Sequence, residues 1–145
     1  MSSLTEREPI KYKGSLDVRF ADLDPYGHVN SKHYLDYVST TRLNYMANEM
    51  RVPLDSVTAR GIGFYLVKST INYLRPIVGL QRIQVSSHVA EIKGSKVLVI
   101  PFEVQNPDGS ITFSEGTLEY AIVDMKTGKL VQAPEWIKEL FFKFK

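Results

Sequence analysis

Two carboxylates, an imidazole and a side-chain amide fall within the nine residues Asp22-Leu23-Asp24-Pro25-Tyr26-Gly27-His28-Val29-Asn30, directly ahead of a helical pattern that begins near Ser31. Pro25 and Gly27 are turn residues able to fix the loop. The first turn of a helix offers unpaired N–H groups and the positive end of the helix dipole, both of which favour negative charge. A carboxylic acid or base beside an anion-stabilising helix start is what acyl-transfer chemistry requires. The loop is therefore the candidate active site.

Residue chemistry alone leaves other readings of this loop open. Asp22-x-Asp24-x-Tyr26-Gly27 starts like a calcium loop of the EF-hand type. The fifth and twelfth positions would then be Tyr26 and His33 in place of oxygen ligands, and a strand pattern precedes the loop, so calcium is rejected. A transition-metal set of Asp22, Asp24, His28 and His33 is conceivable. Its two histidines are five apart, however, which does not place them on one helical face. No Gly-x-Ser-x-Gly elbow and no glycine-rich phosphate loop occurs. Asp24 also suits an ordinary turn before Pro25, while His28 and Asn30 suit a loop hydrogen-bonder and a helix cap. Arg42, seven residues after Leu35, falls on the apolar side of the helical pattern. It reads as a flank residue with a buried stem, or else as an ion-pair partner for the loop carboxylates.

The elements that must position these groups follow from periodicity. Leu16, Val18 and Phe20 alternate with Asp17 and Arg19, a strand leading into the loop. From Ser31 to about Met50 the period becomes helical, with Tyr34, Tyr37, Val38, Thr41 and Tyr45 on one face and Asn30 or Ser31 as cap. Strands are then expected at 64–74, 82–92, 96–105 and 110–124. Turns at Lys93-Gly94-Ser95 and Asn106-Pro107-Asp108-Gly109 separate them, and Pro101 implies a bulge or an edge position. A helical tail runs over 134–144. Strand, helix, then four strands is not βαβ alternation; it predicts an α+β fold with one helix on an antiparallel sheet. Such a sheet keeps two open edges, so pairing into a dimer is expected.

The chain of 145 residues is 43% hydrophobic and 23% charged, which fits one domain over 1–145 with a full core. The net charge of +2 suits a phosphate-bearing ligand but is too weak to imply nucleic acid. The absence of cysteine excludes disulfides, thiolate metal sites and a cysteine nucleophile. Residues 1–7 lack the apolar core of a signal peptide, and no apolar run is long enough to span a membrane. A cytoplasmic protein without membrane or nucleic-acid partners is expected.

The run from Val18 to Asn30, followed by Tyr34, Tyr37 and Arg42, resembles the hotdog-fold acyl-CoA thioesterases, in the subgroup of the 4-hydroxybenzoyl-CoA thioesterases and their short acyl-CoA relatives. The similarity continues through Tyr73-Leu74-Arg75-Pro76 and Ile92-Lys93-Gly94-Ser95. It implies a hotdog fold, an antiparallel sheet of about five strands wrapped round one long helix. It also implies hydrolysis of a small-molecule acyl-CoA to free acid and CoA, with no metal and no cofactor apart from the CoA of the substrate. By position, Asp24 matches the family's catalytic carboxylate, and the backbone N–H near Ser31 matches the group that polarises the thioester carbonyl. Lys93, Gly94, Ser95 and Lys96 match the region that meets the CoA pantetheine and phosphates, often across a subunit boundary. Two departures stand out: Ser39 replaces an acidic residue that many relatives carry three places before Arg42, and Ser31 replaces a histidine found in some.

The resulting expectation is an acyl-CoA thioesterase in which Asp24 is general base or nucleophile, His28 and Asn30 orient it and the water, and Asp22 is structural. Rival readings are an acyl carrier protein thioesterase and an acyl-CoA-binding module without turnover. The shared site implies a homodimer or a dimer of dimers. Tyr34, Tyr37, Val38 and Thr41, with Tyr65, Val67, Ile71 and Tyr73, are expected to wall the acyl pocket. No cation is among them, so a neutral acyl group is expected and a dicarboxylic acyl-CoA should be a poor substrate.

Overall fold

The computed structural model describes residues 4–145, and its elements are β1 (Arg7–Pro9), β2 (Tyr12–Asp17), α1 (Tyr34–Asn48), α2 (Leu54–Thr58), β3 (Ile62–Tyr73), β4 (Arg82–Ser87), β5 (Glu91–Lys93), β6 (Val97–Gln105), β7 (Thr112–Asp124), α3 (Glu135–Phe141) and β8 (Phe142–Phe144). The main sheet is antiparallel with strand order β2-β4-β6-β7-β3, and β5 adds to β6 beside β4. β1 and β8 form a separate two-stranded ribbon. The expected order of strand, helix and four strands is present. No helix among the described residues is long and apolar enough to cross a membrane.

Three boundaries differ from the periodicity. The first strand is Tyr12–Asp17 and stops short of Phe20, whose side chain is 82% exposed. The chain leaves the sheet there because residues 20–22 wind into a 3-10 turn that Asp22 closes back onto Arg19. The run expected over 82–92 divides into β4 and β5, with the register against β6 advancing by one residue between them. Pro101 sits opposite this break, where its missing N–H costs no ladder bond, which satisfies the expectation of a bulge. The tail is helical only to Phe141; Phe142–Phe144 then pair with Arg7–Pro9.

α1 follows a 3-10 turn at Ser31–His33 and buries Tyr34, Tyr37, Val38, Thr41 and Met46. It lies against β2 and β4 at one side of the sheet and leaves a seam toward β3. Ile83, Val85, Ile100, Leu118 and Ile122 are fully buried under it. β3 is the other edge of the sheet, and Tyr65, Leu66, Val67 and Tyr73 remain exposed along it.

Pairing across the sheet defines two distant rows. Tyr65, Ala121, Val97 and Lys93 share one; Tyr73, Ser114, Val104 and Val85 share the other. Eight residues of β3 separate Tyr65 from Tyr73, about 26 Å of strand.

Gly116 is required where β7 meets β3 and β6. A Cβ there would run into the Thr70 carbonyl and stand 2.9 Å from the Phe102 ring. Gly116→Ala should lower stability by about 2 kcal/mol or more through overpacking. Urea denaturation reads this directly, and an unchanged midpoint would show that the strands can part at no cost.

Candidate active site

Asp22 fixes the loop. Its carboxylate is fully buried, and Oδ1 accepts hydrogen bonds from the Arg19 guanidinium at 2.8 and 3.1 Å. Oδ2 accepts from the Arg19 backbone N–H at 3.1 Å and from the Tyr37 hydroxyl at 2.6 Å. The Asp22 carbonyl also accepts the Asn30 N–H at 2.8 Å. One residue thus ties the end of the strand, the return of the loop and the first full turn of α1. Burial pushes the Asp22 carboxyl up, but the hydrogen bonds from Arg19 and Tyr37 outweigh it and bring the pKa down to about 2. The Tyr37 hydroxyl is raised by burial and by donating to this carboxylate. The structural role expected for Asp22 holds, with a side chain and a guanidinium as partners besides loop backbone.

Asp24 heads a tight hairpin. Its N–H donates to the His28 carbonyl at 2.7 Å, its carbonyl accepts the Gly27 N–H at 3.0 Å, and Leu23 bridges Val29. Gly27 has φ +77°, the left-handed conformation such a three-residue loop needs, which favours glycine. Asp24 Oδ1 accepts the N–H groups of Tyr26 at 2.8 Å and His28 at 3.1 Å. Oδ2 has no hydrogen-bond partner among the described residues. Asp24 is therefore a turn former and a carboxylate with one oxygen available.

The helix start leaves one N–H available as well. Asn30 Oδ1 accepts from Lys32 N at 3.1 Å, the Asn30 carbonyl accepts from His33 N, and Ser31 O takes the Tyr34 N–H. The Ser31 N–H alone in this turn has no acceptor among the described residues. Asn30 is engaged as the cap and makes no hydrogen bond to Asp24. His28 holds Asp24 through its backbone N–H, and its imidazole makes no hydrogen bond to that carboxylate; the ring stands 6.5 Å from the Tyr26 ring.

Asp24, His28, Asn30, Ser31 and Tyr34 line one cleft of about 460 Å³ with Tyr73, Leu74, Arg75 and Pro76. Tyr34 and Tyr73 meet edge to face at 5.1 Å across it, and burial raises the Tyr34 hydroxyl. Five of the ten expected site residues are thus brought together. The other five are not: Tyr65 and Lys93–Lys96 stand in the far row of the sheet, and Lys93 Nζ pairs with Glu119 at 2.6 Å. Sequence reasoning missed Arg75 as a cation at the cleft, since an Arg-Pro pair after a strand reads only as a stop.

The expected acyl-pocket walls need correction. Tyr37, Val38 and Thr41 are buried in the core beneath α1, and Tyr65 and Val67 are exposed along the β3 edge. The helix face turned to the seam is instead Ser39, Arg42, Leu43 and Met46, which with Phe64, Ile100, Tyr120 and Phe141 lines a second cavity of about 210 Å³. Arg42 does not pair with the loop carboxylates; Arg19 does. Arg42 Cζ lies 4.6 Å from the Tyr120 ring centroid. Arg42 thus places a cation at this second cavity, which the helical spacing did not reveal because periodicity identifies a helix stripe but not which side of it the sheet covers.

Residues 18–141 match the family model of the thioesterase-like superfamily. The chain is 27% identical over 127 residues to the long-chain acyl-CoA thioesterase FadM of Escherichia coli, covering 86% of this chain and 92% of that protein. Among solved structures it resembles a 1,4-dihydroxy-2-naphthoyl-CoA thioesterase from Synechocystis, with TM-score 0.78 and 15% identity over 90% of this chain and 95% of that one. A DHNA-CoA thioesterase from Staphylococcus aureus gives TM-score 0.74 and 19% identity over 84% and 80%.

The buried clamp makes stability depend on acid. A carboxyl whose folded pKa is depressed contributes stability above its unfolded pKa, and that contribution is lost as pH falls through the folded value. For Asp22 the window runs from about pH 4 to about pH 2. Asp22→Asn should cost about 2 kcal/mol or more at neutral pH and flatten the acid limb of a pH–stability curve. An Asp22→Asn variant with the parent's acid limb would show that Asp22 is not the group responsible.

Proposed function

The chain belongs to the thioesterase-like superfamily, and from that premise we propose that it hydrolyses acyl-CoA at the cleft holding Asp24 and Ser31. The observation that carries this reading is the pairing of two unengaged groups in one cleft, the Ser31 N–H and Asp24 Oδ2. The hotdog fold of its structural neighbours supports it, as does the activity that FadM's name records.

In this mechanism the thioester carbonyl oxygen accepts the Ser31 N–H at the positive end of α1, where charge develops as the carbonyl becomes an oxyanion. Asp24 Oδ2 accepts a proton from a water that attacks the carbonyl carbon. Oδ1 is held by two N–H groups, so the carboxylate keeps its aim. Collapse of the tetrahedral intermediate breaks the C–S bond, and the proton on Asp24 passes to the departing CoA sulfur. The products are the free acid and the CoA thiol. Asn30 and Asp22 act by holding the helix start and the loop in place.

The site is completed by a second copy. β3 is a long, exposed edge with apolar side chains, a surface suited to antiparallel pairing. Pairing about a two-fold near Ser69 sets Tyr73, four residues after it, beside the partner's Tyr65, four residues before it. Such pairing turns the far row of the second copy, which carries the Lys93–Lys96 turn, toward the row that holds the cleft.

Asp24→Asn should lower kcat/KM by roughly two to four orders of magnitude in a thiol-release assay, with the folded state kept. A fully active Asp24→Asn enzyme overturns the assignment. A single turnover in ¹⁸O-water should place the label in the released acid, whereas label in Asp24 would mean that the carboxylate attacks directly. Light scattering should give a dimer or a dimer of dimers at micromolar concentration; an active monomer would refute the shared site.

A further inference from the structure

Arg42, itself half-buried, turns one guanidinium nitrogen that has no partner among the described residues into an apolar cavity. The cavity, between α1 and the sheet, is lined by Leu43, Met46, Phe64, Ile100 and Phe141. Arg42 Nη1 is buried without a hydrogen-bond partner, and no ion pair among the described residues includes Arg42. Ser39, three residues earlier on the same helix face, lines the cavity and supplies a hydroxyl without charge. The Tyr120 ring covers one face of the guanidinium, which leaves its N–H edge for a ligand. A buried donor on a charged group left unsatisfied is costly, and such groups are retained where something else completes them.

Cleft and cavity share no lining residue, but each takes walls from both α1 and β3. Tyr34 and Tyr73 close the cleft at the start of α1 and the end of β3, and Arg42 and Phe64 meet the cavity further along the helix and at the start of β3. Leu35, on the same helical stripe as Ser39 and Arg42, and Ile71 of β3 lie between them and are only partly buried. Eight helical residues separate Tyr34 from Arg42, about 12 Å along the axis. An extended acyl chain of eight carbons spans about 9 Å, and the Arg42 side chain, tilted toward the N-terminus of its helix, covers the remainder.

We infer that Arg42 selects acyl-CoA substrates whose acyl chain ends in a carboxylate, the medium-chain ω-carboxyacyl esters. This rests on the thioesterase reading above and gives that site its substrate class. A carboxylate matches the guanidinium fork with two charge-assisted hydrogen bonds. A methyl end leaves Nη1 unpaired, and a chain much shorter than the seam does not reach it.

The test compares suberoyl-CoA (the mono-thioester of octanedioic acid) with octanoyl-CoA. The wild type should use suberoyl-CoA at least as well as octanoyl-CoA by kcat/KM. Arg42→Met should shift the ratio against suberoyl-CoA by on the order of 100-fold. Ser39→Glu, which keeps Arg42 and gives it an internal carboxylate, should shift the ratio the same way, and it serves if Arg42→Met does not fold. The same ratio is read from dissociation constants measured by calorimetry on the Asp24→Asn protein, where turnover plays no part. A wild type that releases thiol from neither ester defeats the thioesterase reading, while the binding ratio still decides the role of Arg42. The inference is overturned if octanoyl-CoA is preferred, or if the folded variants leave the ratio unchanged.

Discussion

The buried Asp22 carboxylate is the constraint on which the rest of the site depends. Asp22 lies at the point where the chain leaves β2, turns through the hairpin and enters α1; its carboxylate holds Arg19 and Tyr37, and its backbone carbonyl accepts the Asn30 N–H. Burying a carboxylate is unfavourable unless its hydrogen bonds are filled. Here four donors fill them, and that is why the carboxyl stays ionised. With both ends of the loop anchored in this way, Asp24 and the Ser31 N–H are set relative to each other by covalent geometry and a short hairpin.

The different roles of the two aspartates follow from their surroundings. Asp22 commits both oxygens to the protein, whereas Asp24 commits one and leaves the other to the cleft. The same holds at the helix start, where Asn30 engages two N–H groups and the Ser31 N–H is left over. A base and an oxyanion donor are produced by what the surrounding hydrogen bonds leave unused.

The position of α1 decides where a substrate can lie. Packing against β2 and β4 buries Tyr37, Val38 and Thr41 and holds the opposite helix face away from β3. The resulting seam carries the cleft near Tyr34 and Tyr73 at one end and the Arg42 cavity toward the other. Its outer side is the exposed β3 edge, so the surface that would bind a second copy is the one that would finish the wall of the site.

The order of elements, the helix face that is buried, the bulge at Pro101 and the candidate loop were all legible in the sequence, because period-two and helical spacing and turn residues are local properties. The resemblance over Val18–Asn30 added the identity of the chemistry. Local pattern misjudged the end of the first strand, since Phe20 alternates correctly but Asp22 hydrogen bonds pull it out of the sheet. It also could not separate the two sides of the helix stripe, and so it put Tyr37, Val38 and Thr41 in the pocket and left Arg42 out. Which oxygen of Asp24 is free, which N–H of the helix start lacks a partner, and how far Tyr65 and Lys93 stand from the loop were decided only by tertiary structure. The last depends on register across the sheet, and the first two on how the short-range hydrogen bonds from Tyr26, His28, Lys32 and His33 are directed once the loop is anchored, neither of which spacing along the chain encodes.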